Sequence, residues 1–339
     1  MILAGKPLKG KELDSLKAFL IKMELEYDDG IEYSICILDD DYNIIATGSV
    51  EESVLKCIAV DPDFQGQGLS GTIISNLIQY EFEQGRVHLF IYTKPKNKEM
   101  FEDLSFYTII ETEDVLFMEN RSNGFLKYME GIVRETPKEA MEPGKKIGAV
   151  VMNCNPFTLG HHYLLEQASS KCDFVHVFIL SENKSMVPTE DRFRLAAAGS
   201  QDISNLILHQ TSDYIISAAT FPTYFMKDKG KAKQANCRLD VELFAKKIAP
   251  ILHIQMRFAG TEPNCEVTNT YNQTMKEILP IYGGSLIEIP RIKNAVGLIS
   301  ASSVRENVKK GKWLEVEKMV PKTTLEYLSE KSNTCRCRF

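Results

Sequence analysis

No run of apolar residues in this chain is long enough to cross a bilayer, and the N-terminal MILAGKPLKG lacks the apolar core of a secretory signal. A membrane span is not expected, and the cytoplasm is the predicted compartment. A basic stripe is also missing. The 40 Lys and Arg are interspersed with 46 Asp and Glu, for a formal net charge of -6, so neither nucleic acid nor an anionic membrane surface is predicted as a partner. A second cysteine pair at metal-ligand spacing, to complete the half site that a C-x-C could offer, is absent as well. The eight thiols, Cys36, Cys57, Cys154, Cys172, Cys237, Cys265, Cys335 and Cys337, are scattered, as in a reducing compartment. Cys335 and Cys337 form a C-x-C in a basic tail with no second pair to complete a site, so the tail reads as a frayed terminus and no protein metal site is predicted. Internal repeats and low-complexity tracts are lacking too.

What is present is an ordinary globular composition, 339 residues that are 44% hydrophobic and 25% charged, with room for two domains. From Ile31 to Phe117 strand-like runs dominate. IEYSICILDD and YNIIATGSV flank the turn DDDYN, LKCIAV leads into DPDFQGQG, and VHLFIYT follows a helix. In that helix Leu69, Ile73, Ile74, Leu77 and Ile78 fall on one face, which predicts packing on an antiparallel-rich sheet. The segment from Arg121 to Lys146 is polar and broken by Gly and Pro. The expected division is an α+β domain over 1–130, a linker over 131–145 and a second domain over 146–339.

Beyond the linker the rhythm alternates. Strand-like KIGAVVM, DFVHVFIL, NLILHQ, HIQMRFAG and SLIEIP are separated by helical stretches such as HHYLLEQASS, EDRFRLAAAG, LDVELFAKKIAP and TNTYNQTMKEIL. This predicts an α/β domain around a parallel sheet, with ligands at the carboxyl ends of the strands.

Two stretches sit where such a sheet binds ligands. In NPFTLGHH, Thr158, Gly160 and His161 line the start of a helix whose amides and positive dipole end suit an anion, while His162 faces away. A plain helix cap with an incidental histidine is the competing reading. Far downstream, ISASSVRENVKKG places Ser300, Ser302 and Ser303 at the mouth of another helix, with Arg305 one turn inside. Capping is again the alternative. If the two stretches converge, they suit a single polyphosphate.

TLGH and ISASSVR resemble the (T/H)-x-G-H and ISSTxxR signatures of the nucleotidyltransferase superfamily. With TFPTYFMK (220–227), EPNCEVTNTYNQTM (262–275) and EIPR (288–291), behind an acetyltransferase-like first domain, essentially the whole chain resembles the citrate lyase ligase family. One departure is visible: the superfamily usually has Gly at the end of the first strand, and here Met152 is followed by Asn153 and Cys154.

The resemblance implies a Rossmann-like nucleotidyltransferase domain preceded by a GNAT-like α+β domain, and an ATP-dependent, AMP-forming acid–thiol ligation. Acetate attacks the α-phosphorus, pyrophosphate leaves, and a thiol captures the acetyl-adenylate. That thiol belongs to the dephospho-coenzyme A derivative on the acyl carrier (gamma) subunit of citrate lyase. Acetate is already ionised at neutral pH, so the first step needs positioning and charge stabilisation rather than a base. By resemblance, His161 and Thr158 serve the α- and β-phosphates, and Ser300, Ser302, Ser303 and Arg305 the departing pyrophosphate. Asn153 and Cys154 flank the nucleotide, Lys184 and Arg192 lie near phosphates or acceptor, and Gly260, Thr261 and Glu262 grip adenine and ribose. Mg2+ is held by phosphates and water, with no protein ligand assigned. Arg192 pairing within its own helix and Lys184 left in solvent are the alternatives at those positions.

DPDFQGQGLSG resembles the acyl-CoA turn of GNAT acetyltransferases, in which successive amides before a helix hold a pyrophosphate. Gln65, Gly66 and Gly68 are its candidate residues, with Ser70 where Gly or Ala is usual. The implied role is docking of the prosthetic group, against a relic domain that only holds the carrier protein. Rival functions are an adenylyltransferase acting on a phosphorylated small molecule such as phosphopantetheine, a working acetyltransferase with a regulatory nucleotide domain, and a non-enzymatic scaffold that binds citrate lyase. His176 and His209 lie in apolar strands and read as core, and Trp313 as an anchor for the C-terminal helix.

Overall fold

The computed structural model describes residues 1–181, 185–215, 224–226, 229–261, 266–294 and 297–336. The chain divides into two compact units, one built from 1–127 and 221–239, the other from 128–220 and 240–339. Residues 221–239 therefore add to the first unit a segment that the expected boundaries assign to the second.

The first unit contains β1 (Ile2–Gly5), α1 (Gly10–Lys22), β2 (Tyr33–Leu38), β3 (Ile44–Glu51), β4 (Val54–Val60), α2 (Leu69–Glu83), β5 (Phe90–Thr93), α3 (Lys98–Asp103), β6 (Tyr107–Glu111) and β7 (Leu116–Glu119). Their order in the sheet is β1-β2-β3-β4-β5-β7-β6. All neighbours are antiparallel except β4 and β5, whose parallel pairing covers only Val54 with Phe90 and Leu55 with Ile91. Past that point the two strands part. The predicted face of α2 packs as expected, with Ile73, Ile74 and Leu77 buried against Ile35, Val50 and Ile91. This is the α+β architecture predicted for the GNAT-like half.

The second unit receives the chain through α4 (Gly124–Glu135), which together with a 3-10 turn at Lys138–Met141 fills much of the expected linker. It then builds β8 (Ile147–Met152), α5 (Leu159–Ser169), β9 (Phe174–Ile179), α6 (Thr189–Gly199) and β10 (Leu206–Gln210). Helix α7 (Lys229–Leu243) begins among the first unit's residues and ends in the second, where a π-helical turn over Phe244–Ile248 continues it. Strand β11 (Ile254–Gly260), α8 (Glu266–Ile278), β12 (Ser285–Ile289), α9 (Ala301–Lys309), α10 (Trp313–Glu317) and α11 (Lys322–Arg336) complete it.

Among the described residues its main sheet has five strands, all parallel, in the order β10-β9-β8-β11-β12, beside a short antiparallel pair of Lys293–Asn294 with Gly297–Leu298. The first strand of the unit is thus central, and its neighbours lead away in opposite directions. A crevice opens at such a reversal, at the carboxyl ends of β8 and β11. IGAVVM is a continuous apolar run because β8 is covered on both faces. Val150, Phe157, Val177, Leu195, Phe258 and Val304 share its core, and Trp313 packs at the edge. Among the described residues no helix is long and apolar enough to cross a membrane.

Candidate active site

The chain leaves β8 through Asn153 and Cys154 and starts α5 at Thr158, whose hydroxyl accepts from the His161 amide at 3.3 Å. In return the Thr158 amide donates to His161 Nδ1 at 3.0 Å. Nδ1 is thereby fixed as an acceptor, so the neutral ring carries its proton on Nε2. Burial, and secondarily the neighbouring Arg291 guanidinium, push the imidazole down to about 4. His161 is therefore an uncharged hydrogen-bond donor at neutral pH. No acidic side chain occupies the first turn of α5, and its positive end keeps its full value for an anion. His162 pairs with Asp202 at 2.9 Å, away from this cap.

The downstream motif meets the same place. Ser300 caps α9, accepting from the Ser303 amide at 3.1 Å, and its hydroxyl lies 2.8 Å from that of Ser303. Capping and ligand binding are not exclusive here, because the amides of Ala301 and Ser302 take no part in this cap. Arg305 donates to the Asn155 carbonyl at 2.6 Å and to Ser302 Oγ at 3.0 Å. A Cβ on Gly160 would sit 3.1 Å from the Ile299 carbonyl. The starts of α5 and α9 thus adjoin. Among the described residues no group of three or more His, Cys, Asp or Glu side chains could hold a metal ion.

The remaining predicted residues lie in the following environments. Cys154 is fully buried and its thiol, raised by desolvation, packs in the core, with the backbone at φ 54°. Arg192 is also fully buried. Its Nη1 donates to the Asn153 carbonyl at 3.0 Å and to Asn153 Oδ1, and its Nη2 to Thr189 Oγ1 at 2.9 Å. The guanidinium braces the end of β8, which places it behind Asn153. Gly260 ends β11, and the Thr261 amide donates to the Ile289 carbonyl at 3.0 Å, extending the ladder to β12. Lys184 and Glu262 lie outside the described residues.

Two residues not singled out from the sequence join the site. Arg291, two positions past the end of β12, places its Nε 3.6 Å from where a Cβ on Gly260 would stand, and its charge is felt by His161. The signal was in EIPR, an arginine directly after a strand. Asn272, only 2% exposed, donates to the Gly260 carbonyl at 3.1 Å and to Glu288 at 2.9 Å, which orients that strand end. Nothing local in TNTYNQTM distinguishes it from a surface amide.

In the first unit Gly66 and Gly68 have φ of 78° and 73°, with open space where a side chain would begin. They are required for conformation, not for room. Gly68 precedes α2 without a side-chain cap and without an acid in the first turn, so the helix's leading amides are uncapped. Gln65, Gly66 and Gly68 line a cavity of about 600 Å³ together with Lys22, Lys94 and Lys96.

Residues 147–328 match the family described as citrate lyase ligase C-terminal domain. The chain is 38% identical over 334 residues to the [citrate [pro-3S]-lyase] ligase of Klebsiella pneumoniae, covering 97% of this chain and 95% of that one. The chain belongs to the citrate lyase ligase family. The enzyme of the same name from Escherichia coli strain K12 is 37% identical over 332 residues, or 95% and 92% of the two chains. Among solved structures, Thermotoga maritima TmcAL bound with alpha-thio ATP aligns over 56% of each chain, with a TM-score of 0.35 and 15% identity. The family's name places a ligase in this chain, whose adjoining α5 and α9 starts lie at the strand ends.

Proposed function

We propose that this enzyme acetylates the thiol of the citrate lyase prosthetic group from acetate and ATP, releasing AMP and pyrophosphate and so activating citrate lyase. The observation that carries the reading is the junction of Gly160 with the Ile299 carbonyl. It brings two acid-free helix starts, a neutral imidazole donor and Arg305 to one crevice.

In this reading an acetate oxygen attacks the α-phosphorus and the bond to the bridging oxygen of pyrophosphate breaks. His161 Nε2–H and the Gly160 amide hold α- and β-phosphate oxygens. The leading amides of α9 and the Arg305 guanidinium take the charge that grows on the pyrophosphate. Arg291 stands beside His161 and Gly260, where a carboxylate or the α-phosphate would lie. The carrier thiolate then attacks the acetyl carbonyl and AMP departs. Mg2+, if it accompanies the nucleotide, would be held by phosphates and water rather than by side chains of this chain and would supply further charge neutralisation. By resemblance alone, Lys184 would serve the phosphates or the acceptor and Glu262 the adenine and ribose; both lie outside the described residues.

The carrier's prosthetic group, a dephospho-coenzyme A derivative, docks its phosphates on the uncapped amides before α2. Lys94 and Lys96 of the same cavity supply matching charge. We place the enzyme in the cytoplasm, in keeping with the unbridged thiols of Cys36, Cys57, Cys154, Cys172 and Cys237. The test supplies ATP, labelled acetate and deacetylated citrate lyase. Label on the carrier, with AMP and pyrophosphate in equal amounts, is the expected result. AMP retained on a phosphorylated acceptor would replace this function with adenylyl transfer.

A further inference from the structure

Tyr224 is one of the residues that line the cavity of the first unit. Where β4 and β5 part, the next carbonyl of β5, that of Tyr92, accepts a hydrogen bond at 2.7 Å from the hydroxyl of Tyr224, a residue of the segment that returns from beyond position 220. On the opposite strand, Cys57 sits at φ 53° in a bulge where the β3–β4 register slips between Thr47 and Ser49. Its backbone amide faces the same phenol. A bulge of this kind turns an amide out of the ladder and toward the gap. Tyr224 is itself fixed, 6% exposed, with its carbonyl accepting from the Glu26 amide at 2.8 Å. Tyr224, which lines the cavity, thus occupies both the Tyr92 carbonyl and the Cys57 amide.

We infer that this cavity takes the free-thiol form of a phosphopantetheine-type chain and excludes its thioester, with Tyr224 as the discriminating group. The inference rests on the proposed role of the first unit as a dock for the prosthetic group. A thiol is a weak donor and weak acceptor, and it ends comfortably against a phenol. A thioester adds an acetyl group with a carbonyl oxygen, which must be desolvated where the Tyr224 hydroxyl donates to Tyr92 and the Cys57 amide faces the phenol. Burying that oxygen without a donor is unfavourable. The cavity would thus recruit the deacetylated arm and release it once acetylated, and the first unit would not itself transfer acyl groups.

The experiment measures binding of dephospho-coenzyme A and of S-acetyl-dephospho-coenzyme A to the full chain by calorimetry, for the wild type and for Tyr224→Phe. The wild type is expected to hold the thiol about tenfold more tightly than the thioester or better, and Tyr224→Phe to close most of that gap by freeing both backbone groups. Equal affinities on the wild type would overturn the discrimination while leaving the dock intact, with no variant required. A gap that persists in Tyr224→Phe would remove the assignment to Tyr224. Binding of neither probe would overturn the dock, and with it the inference.

Discussion

The carbonyl oxygen of Ile299 lies 3.1 Å from the point where a side chain on Gly160 would begin, so the first turns of α5 and α9 touch through a position only glycine leaves open. Gly160→Ala must push that carbonyl away by a few tenths of an ångström. Acetate-dependent ATP–pyrophosphate exchange is expected to fall roughly tenfold or more, because displaced phosphate-holding groups lose their alignment. The melting temperature should move little, since alanine favours a helix by up to about 1 kcal/mol over glycine. Full exchange activity in this variant would separate the two helix starts functionally.

His161 supplies a pH signature. Its folded-state value, about 4, lies below the ordinary histidine value of 6.5. Between these limits the unfolded chain binds a proton that the native chain does not, so stability rises with pH across that window and is lost as pH falls through it. Exchange activity should show no inflection near 6.5 from this residue and should decline only toward pH 4 to 5. An inflection near 6.5 that disappears in His161→Gln would contradict a neutral donor.

Arg291 is expected to matter as much as the motif residues. Arg291→Met should lower adenylate formation by about 10²- to 10³-fold, the usual loss when one preorganised charge-stabilising donor is removed. Arg291→Lys should recover part of it, and denaturant unfolding should stay near wild type. Steady-state kinetics with acetate and ATP varied in turn will show which substrate the guanidinium serves.

The two glycines before α2 separate the half-reactions. Gly66→Val or Gly68→Val forces a branched residue into the left-handed region, at a cost of roughly 1–2 kcal/mol each. Label transfer to the carrier should drop while pyrophosphate exchange persists. Unchanged transfer would leave the first unit without a docking role.

How much of this was legible in the residues depended on how local the cause was. The turn at Thr158 and the cap at Ser300 could be read because a cap is a relation over three positions, written in the chain itself. The parallel strands could be read because β8 is apolar throughout and β9 is apolar but for His176. The target of Arg192 could not, since Asn153 is 39 positions away and the pairing arises only when α6 packs beneath the end of β8. The burial of Cys154 follows from a left-handed backbone that no composition announces. Arg291 was visible as a charge after a strand, but its neighbour Gly260 is brought to it only by the ladder of β11 and β12. His176 and His209 are fully buried, as their apolar strands suggested, and they lie 2.9 Å apart on adjacent strands.

The return of residues 221–239 to the first unit has a consequence for how the polypeptide matures on the ribosome. A chain emerging from its N-terminus exposes α2 and the parted strands early, yet Tyr224 follows only after β8, β9 and β10 have been synthesised. A gene fragment stopped near position 130 would therefore yield a pocket with part of its lining missing, and the selectivity of that truncated product would misreport the native one.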